Sequence, residues 1–536
     1  MTSSSPIRIR RSIVELQTEY DAGNTKPLDD LMRAWKGIKE LDYTNLKSFF
    51  NLAGYHGEPF RGPGQTNGTL FWGGYCNHGN VLFPTWHRAH CLKIEEALQS
   101  IPGCADVMLP YWDETADETL AYGMPKALTD EFYTLDGVQI PNPLRSFTFP
   151  IAISDQVAGD NVNDPNNPSY SKPAGYETVR YPLAGLVGTP TDQAATTAHN
   201  AKYPNYDTNV KLLNANLTQW LGKDTGDGIY QKFHQCLLAP NYTVFSNTTS
   251  AQEWNHVPAN KTLQVTPLEE PHNDIHLAMG GFEAPYTPDP SFDAEATGDM
   301  GENDTAGLDP MFYFHHCNID RVFWLWQQAH QATEQLEIIE YYPGTNSSDS
   351  QGATPGIAPN TSLTLDTPLN PFKKGLNNDG PTYISRDCIN IETQMGYTYS
   401  KGSLGVLVDT LTAGQAAAAT AVETPESPKT LHVSRINKAP IKGSFVVVAY
   451  AHHEGKKEVV GYKSVLNRWD SGSCANCQTH LEVKAAFRLP TAVSGKLLAG
   501  DLTADDFSVE LITRKQPQAT LLAALALKKP HRLELR

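Results

Sequence analysis

Histidines in the second half of the chain have the spacing of metal ligands. His272 and His276 are four residues apart, so on a helix their side chains lie one above the other on the same face. His316 occurs in a later apolar stretch, and a neighbouring helix carrying it would complete a trio of imidazoles. Imidazole suits zinc, copper, iron and nickel, so this trio predicts a transition-metal site without naming the metal.

A second trio occurs near the N-terminus, where His56, His78 and His87 lie close together in the sequence. Neither trio has an obvious carboxylate ligand beside it, and a di-iron site would require such ligands. A catalytic zinc site would need only one trio. Two all-imidazole trios therefore favour a pair of copper ions.

The residues around His316 predict a buried helix about four turns long. Asp309 can cap this helix, Pro310 suits its first turn, and the residues that follow are largely apolar and aromatic. His315 and His316 point about 100° apart around such a helix, so only one of them can join a trio. We expect His316 to be the ligand and His315 to be structural.

Similar signals predict the elements that carry the other histidines. Pro271 and Gly280-Gly281 mark the start and the end of a helix around His272 and His276. Pro84 marks the first turn of a helix that contains His87, and residues 42–55 predict a helix that leads to His56.

The motifs that contain these histidines resemble those of fungal tyrosinases, which are type 3 dicopper polyphenol oxidases. Five motifs occur in the family's order: His56-Gly57, Cys76-Asn77-His78-Gly79, Phe83-Pro84-Thr85-Trp86-His87-Arg88, His272-Asn273-x-x-His276 and Asp309-Pro310-x-Phe312-x-x-x-His316-x-x-x-Asp320. The resemblance implies that His56, His78 and His87 bind the first copper ion. It implies that His272, His276 and His316 bind the second.

The resemblance also assigns roles to residues beside the ligands. It implies a thioether bond between Cys76 and His78, although a free buried cysteine would also fit the sequence. Asp320 is placed four residues after His316, where it would hold the other nitrogen of that ring.

Glu269 and Asn273 match residues that, in the family, hold a water which takes the proton from a bound monophenol. The simpler interpretations are an acidic residue at a helix N-terminus and an ordinary polar residue. Phe312 is a candidate gate above the copper pair, or a core residue. His90 departs from the family, in which an aromatic residue is more usual, and we expect it to tune the site from behind the ligands.

Cys474 and Cys477, with His480 nearby, permit a disulfide or redox pair, a zinc site or a transient Cu(I) site. Two thiolates select Cu(I). We favour copper delivery, with a copper chaperone as the partner.

The chain has 536 residues, which is enough for more than one domain. We predict a mainly α catalytic domain over residues 1–405, in which a four-helix bundle holds the dicopper site. Residues 406–428 are predicted to be a linker with a proteolytic activation site. Residues 429–536 show strand periodicity and predict a small β-sandwich.

In long fungal tyrosinases, a C-terminal domain of this kind covers the copper site and keeps the enzyme latent. Val465 and Leu466 are candidates for the residues that would plug the site. The charge is divided along the same boundary, because residues 429–536 carry 17 Lys and Arg against 9 Asp and Glu, whereas residues 1–428 carry 25 against 50. This contrast is either unrelated surface bias or a sign that the two parts dock through complementary fields.

The sequence therefore predicts a latent tyrosinase that uses dioxygen to hydroxylate monophenols and to oxidise o-diphenols to o-quinones, the precursors of melanin. The alternatives are a catechol or o-aminophenol oxidase, a hemocyanin-like oxygen carrier, and a noncatalytic protein with vestigial sites. The absence of a Lys/Arg run argues against nucleic-acid binding, and no apolar run is long enough to span a membrane. The first residues lack an apolar signal core, which predicts a cytoplasmic protein, and the sequence leaves a homo-oligomer open.

Overall fold

The computed structural model describes most of the chain. The described residues are 6–57, 74–154, 171–186, 190–223, 228–260, 263–286, 296–350, 354, 356–375, 378–413, 429–469, 481–514 and 532–535.

The first part of the chain is mainly helical. Its helices are α1 (Ile13–Asp21), α2 (Lys26–Glu40), α3 (Phe49–Gly54), α4 (Phe83–Gln99), α5 (Asp117–Tyr122), α6 (Lys126–Thr129), α7 (Pro190–Asn200), α8 (Tyr206–Leu221), α9 (Ile229–Cys236), α10 (Tyr242–Ser246), α11 (Thr248–His256), α12 (Glu269–Gly280), α13 (Met311–Ala329) and α14 (Gly405–Thr412). A further helix, α15 (Thr491–Ala499), lies near the end of the chain.

The strands are short in the first part of the chain and longer after residue 429. They are β1 (Arg8–Arg10), β2 (Phe132–Leu135), β3 (Val138–Pro141), β4 (Ile153–Ser154), β5 (Ser171–Lys172), β6 (Pro368–Lys373), β7 (Thr382–Ile384), β8 (Tyr397–Tyr399), β9 (Thr430–Asn437), β10 (Phe445–His453), β11 (Lys456–Val465), β12 (Glu482–Arg488), β13 (Phe507–Thr513) and β14 (Arg532–Leu535).

The helices that carry the candidate ligands begin and end close to where the sequence predicts. The Asp309 carboxylate accepts a hydrogen bond from the backbone N–H of Met311 at 2.9 Å and so caps α13. Helix α12 ends at Gly280, and Gly281 takes a left-handed conformation with φ of 115°.

Helix α3 is shorter than the predicted helix over residues 42–55, because it begins only at Phe49. The side chains of Asp42 and Asn45 accept hydrogen bonds from the backbone N–H groups of Thr44 and Lys47, at 2.8 and 2.9 Å. Such local side-chain bonds offer the backbone an alternative to a helix. Residues 42–48 therefore form turns.

Residues 429–469, 481–514 and 532–535, here called the C-terminal region, form two three-stranded sheets. One sheet has the order β11-β10-β13 and the other has the order β12-β9-β14, with antiparallel pairing throughout. The sheets share a core, to which both contribute buried side chains such as Val433, Val447 and Phe487.

Strand β10 has two buried faces. Phe445, Val447 and Ala449 point into the core of the C-terminal region, whereas Val446 and Val448 join the core of the described residues up to 413, here called the helical body. Since alternate residues of a strand face opposite sides, β10 lies between the two parts. The C-terminal region is thus packed on the helical body through an apolar sheet face.

Charged groups surround this apolar contact. The Arg514 guanidinium donates to the Glu302 carboxylate, and both side chains are buried. Asp304 accepts a hydrogen bond from the backbone N–H of Trp469 at 2.8 Å and lies 3.8 Å from Arg468. These pairs favour docking through complementary charge over unrelated surface bias.

The predicted linker differs from the structure at its start, because Gly405–Thr412 is helical and α14 packs on α13. Residues 414–428, which include the rest of the predicted linker, lie outside the described residues. Within the described part of the chain, no helix combines the length and the apolar character needed to cross a bilayer.

Candidate metal centre

The first histidine trio comes from three separate pieces of backbone. His56 follows the end of α3, His78 lies in the loop before α4, and His87 lies on α4. The ring centroids are 5.4 Å apart for His56 and His78, 5.6 Å for His56 and His87, and 5.1 Å for His78 and His87.

The second trio comes from α12 and α13. The Nε2 atom of His272 lies 3.1 Å from Nε2 of His276 and 3.2 Å from Nε2 of His316. Three imidazole nitrogens therefore converge on one point.

The two trios face each other inside the helical body. The rings of His87 and His316 are stacked with centroids 4.4 Å apart, and those of His78 and His272 are 5.5 Å apart. All six rings are buried. The structure thus brings together every histidine that the sequence assigns to the two metal ions.

Backbone and side-chain acceptors fix the tautomers of several rings. Nδ1 of His87 faces the Phe83 carbonyl at 2.8 Å, and Nδ1 of His276 faces the Met300 carbonyl at 2.7 Å. Nδ1 of His272 faces the Asn273 side-chain oxygen at 3.0 Å. Because each acceptor requires a hydrogen on Nδ1, the Nε2 atoms of these rings present lone pairs.

Two of these lone pairs, on His272 and His276, point at each other across 3.1 Å. This arrangement is repulsive unless a cation lies between the nitrogens. A tetrahedral metal ion bound at 2.0–2.1 Å would separate two imidazole nitrogens by about 3.3 Å. The second trio therefore fits a bound metal ion, and the unpaired Nε2 atoms of His56, His78 and His87 fit another.

Burial lowers the pKa of all six imidazoles well below the usual value for histidine, and neighbouring histidines lower it further in each case. The rings are therefore neutral at neutral pH. Neutral imidazole is the form that binds a metal ion.

A close backbone approach orients His276. A Cβ added at Gly280 would lie 1.8 Å from the nitrogen of Gly301, so only glycine lets the segment with Met300 come this near to α12. That approach places the Met300 carbonyl against the His276 ring. The sequence offered Gly280 only as a helix end.

The prediction that Asp320 holds the second nitrogen of His316 is wrong, because Nδ1 of His316 has no hydrogen-bond partner among the described residues. The Asp320 carboxylate instead accepts from the guanidinium of Arg88 and from the hydroxyls of Tyr397 and Tyr399, at 2.6 and 2.5 Å.

Arg10 also lies 3.3 Å from this carboxylate. Burial would raise the pKa of Asp320, but Arg88 and Arg10 together with the tyrosine hydroxyls hold it below its usual value. Asp320 therefore ties α13 to α4, β1 and β8 as a buried anion.

Glu269 connects α12 to the loop of the first trio. One carboxylate oxygen accepts from the backbone N–H of Gly79 at 2.8 Å, and the other accepts from the backbone N–H and the hydroxyl of Thr248, at 2.8 and 3.0 Å. Burial raises the pKa of Glu269, and these hydrogen bonds oppose that rise. Glu269 thus lies next to His78 in space as well as on the helix of the second trio.

Cys76 is buried, and its Sγ atom lies 3.3 Å from a guanidinium nitrogen of Arg468. The ligand atoms of His56, Cys76 and His78 all lie within 4.8 Å of one another. The thioether remains a prediction. Sequence reasoning missed Arg468, since nothing local links residues so far apart in the chain.

Phe312 is fully buried between the trios, with its ring 4.6 Å from His56 and 4.0 Å from His316. His90 lies behind the first trio, where Nε2 faces the Leu52 carbonyl at 2.9 Å and the ring stacks on Phe372. Burial lowers the pKa of His90 to about 4.

His315 lies beside the second trio, but its Nδ1 atom is 2.6 Å from the Glu114 carboxyl group. Burial lowers the pKa of His315 to about 3 and raises that of Glu114, so burial favours the neutral form of each group. Glu114 was not identified from the sequence, which offers no local signal for it. Cys474, Cys477 and His480 lie outside the described residues.

Comparison with known proteins agrees with this site. The family model for the common central domain of tyrosinase matches residues 46–329, more than half of the chain. The chain belongs to the tyrosinase family.

Named relatives occur in bacteria as well as in fungi. The chain is 52% identical over 519 residues to tyrosinase HcTyr2 of Hahella sp. (strain CCB-MM4), covering 92% of this chain and 90% of the relative. It is 45% identical over 493 residues to the tyrosinase of Aspergillus oryzae, covering 86% of each. The resemblance is therefore not restricted to fungal members.

Solved structures extend the likeness to the whole chain. The tyrosinase from Burkholderia thailandensis at low pH is 48% identical, with a TM-score of 0.82 over 99% of this chain and 100% of that chain. An Aspergillus oryzae pro-tyrosinase mutant shares the fold at 18% identity, with a TM-score of 0.63 over 99% of this chain and 91% of that chain. The protein is thus a copper-dependent polyphenol oxidase with a helical core, a C-terminal β-rich region and a two-copper cofactor.

Proposed function

We propose that the protein is a latent tyrosinase, which hydroxylates monophenols at the ortho position and oxidises o-diphenols to o-quinones. His56, His78 and His87 would hold one copper ion, and His272, His276 and His316 the other. A bound copper pair supplies the binding and activation of dioxygen. The observation that carries this proposal is the pair of facing trios whose Nε2 lone pairs converge.

In this proposal α2, α4, α12 and α13 form the four-helix bundle, and the two C-terminal sheets form the β-sandwich that covers the site. Val465 and Leu466 support the covering role, because both line a cavity that also reaches Asn273. Release of the region would follow cleavage within residues 406–428, after the end of α14.

The monophenolase step needs a base, because a phenol binds to copper as a phenolate. Glu269 has a raised pKa and lies on the same helix face as Asn273, one turn away. Asn273 keeps the hydrogen of His272 on Nδ1 and so leaves Nε2 for the metal. These contacts support the predicted pairing of Glu269 and Asn273 around a water that takes the phenol proton.

Paired assays on L-tyrosine and L-DOPA, before and after limited proteolysis, test the function. A latent tyrosinase forms dopachrome from both substrates only after proteolysis. A catechol oxidase would act on L-DOPA alone, and an oxygen carrier would bind dioxygen reversibly without forming product. Equal rates before and after proteolysis would contradict latency but would not contradict the proposed phenol oxidation.

Asn273→Ala tests the residue roles. We expect hydroxylation of L-tyrosine to fall more than oxidation of L-DOPA, with each rate normalised to bound copper. Gln252→Ala, which alters the same cavity and leaves the Asn273 acceptor of His272 in place, is the matched control. Equal losses on the two substrates would contradict the role of Asn273 in deprotonation.

A further inference from the structure

A small cavity lies where the C-terminal region meets α11 and α12. Its volume is about 40 Å³. The helical body contributes Thr249, Gln252 and Asn273 to its wall, and the C-terminal region contributes Lys438 and Lys463. Both parts of the molecule are therefore needed to form it.

The two lysines are almost completely buried, at 3% and 6% exposure. Neither the Lys438 nor the Lys463 ammonium group makes a hydrogen bond, or an ion pair within 4 Å, with another described residue, although Glu269 acts on both at longer range. Lysine is almost never buried without a partner. Two ammonium groups with unused donors therefore line one cavity.

The carboxylates whose charge acts on Lys463 are Glu270, Glu269 and Asp274, and each is held by another donor. Glu270 lies 3.4 Å from Lys232. Glu269 accepts from Gly79 and Thr248, and Asp274 pairs with Lys232 at 2.9 Å. Glu482, at the edge of the cavity, accepts from the backbone N–H of Arg435 at 2.8 Å. None of these acids forms an ion pair with either cavity lysine.

We propose that this cavity binds a monovalent inorganic anion of halide size between Lys438 and Lys463. The space exceeds the roughly 10–15 Å³ that a water molecule requires and has no room for an organic ligand.

The electrostatics of the lysines agree with this assignment. Burial lowers the pKa of Lys438 to about 8 and also lowers that of Lys463. An anion in contact with both groups would favour their charged forms and offset the cost of burying them. Binding would also hold the C-terminal region on the helical body, and only this consequence for latency rests on the proposed function.

Crystals of the copper-loaded full chain soaked in sodium bromide give the direct test. We expect an anomalous bromide peak in contact with both lysine Nζ atoms, and no such peak in Lys438→Met. An ordered water without anomalous signal, or an empty cavity, would overturn the proposal.

Thermal unfolding gives a test in solution, with sodium chloride compared with sodium gluconate at equal ionic strength. We expect chloride to raise the apparent Tm by about 1–2 °C in the wild-type protein and not in Lys438→Met or Lys463→Met. Lys456→Met, which removes an exposed lysine of the same region, should keep the full shift. A shift of equal size in all variants would place the anion elsewhere, for example on copper, and would contradict the site.

Discussion

The second trio takes its rings from α12 and α13, whereas the first takes one from a helix end, one from a loop and one from α4. In the second trio, Nδ1 of His272 and of His276 is held by an acceptor, and the Nε2 atoms lie 3.1–3.2 Å apart. In the first trio, neither nitrogen of His56 has a hydrogen-bond partner among the described residues. Two of the three rings of the second site are therefore oriented by acceptors close to them, whereas the first site depends more on the elements around it.

Those surroundings come from the rest of the molecule. Glu269 of α12 holds Gly79, next to His78, and Arg468 of the C-terminal region contacts Cys76. The loop of the first trio is thus supported by the helix of the second and by a distant part of the chain. We expect the two trios to differ in copper affinity and in sensitivity to changes outside the ligands.

Removing one ligand from each trio should have the largest effect. We expect His276→Ala and His78→Ala each to lose one of two copper ions and to reduce oxidase activity to background. In copper titrations of the metal-free protein, the tighter binding phase should persist in His78→Ala and disappear in His276→Ala. If the tighter phase instead disappears in His78→Ala and persists in His276→Ala, the expected difference between the two trios is wrong.

Asp320→Asn should weaken both trios together, because Asp320 joins the helices of His87 and His316. Breaking a buried pair with Arg88 leaves an uncompensated charge, so we expect a loss of about 3–5 kcal/mol in the free energy of unfolding. Urea unfolding of the metal-free protein measures this loss. The control is Asp366→Asn, which breaks an exposed pair with Arg386 and should change the free energy of unfolding little. A similar loss in both variants would exclude a special role for Asp320.

Glu269→Gln should act mainly on the first trio. The oxygen of the glutamine amide can still accept a hydrogen bond. Its NH2 group, however, would face another donor, the backbone N–H of either Gly79 or Thr248. We expect copper affinity to fall about 10- to 100-fold in the weaker phase, with the tighter phase unchanged. Competitive chelator titration measures both phases, and an equal fall in both would mean that Glu269 supports the two sites alike.

The smallest effect should come from His90, which lies behind the first trio. Its pKa is about 4 in the folded protein and about 6.5 when unfolded, so the unfolded chain binds one more proton between these values. Stability therefore falls as pH drops below about 6.5, by about 1.4 kcal/mol at pH 5.5 from this group.

His90→Gln removes this titration and keeps a donor for the Leu52 carbonyl. The variant should lose less stability than the wild-type protein between pH 7 and pH 5.5, as measured by urea unfolding of the metal-free forms. An unchanged pH dependence would show that His90 is not the titrating group.

Local sequence signals predict the ligand helices well. The four-residue spacing of His272 and His276, the cap at Asp309 and the stop at Gly280 depend on residues close together in the chain, and the structure agrees with each. The same reasoning placed Asp320 beside His316. It is wrong there, because two guanidinium groups and two tyrosine hydroxyls from distant elements attract the carboxylate more strongly than one neutral ring.

The support of the first trio could not be predicted in this way. Arg468 meets Cys76 across almost 400 residues of sequence, at a separation of 392. Glu114 meets His315 across a separation of 201. Such contacts arise from the packing of whole elements, for which helix spacing and capping give no information.

The charged and apolar contacts between β10, Arg468, Arg514 and the helical body do not depend on an unbroken backbone. A single cut within residues 414–428 would leave both fragments associated, as a two-chain complex. Retention of the β-rich fragment would then follow mass action, so under the proposed latency a larger fraction of a nicked sample would have an open site at equilibrium when diluted than when concentrated. The degree of activation after proteolysis should accordingly depend on protein concentration as well as on digestion time.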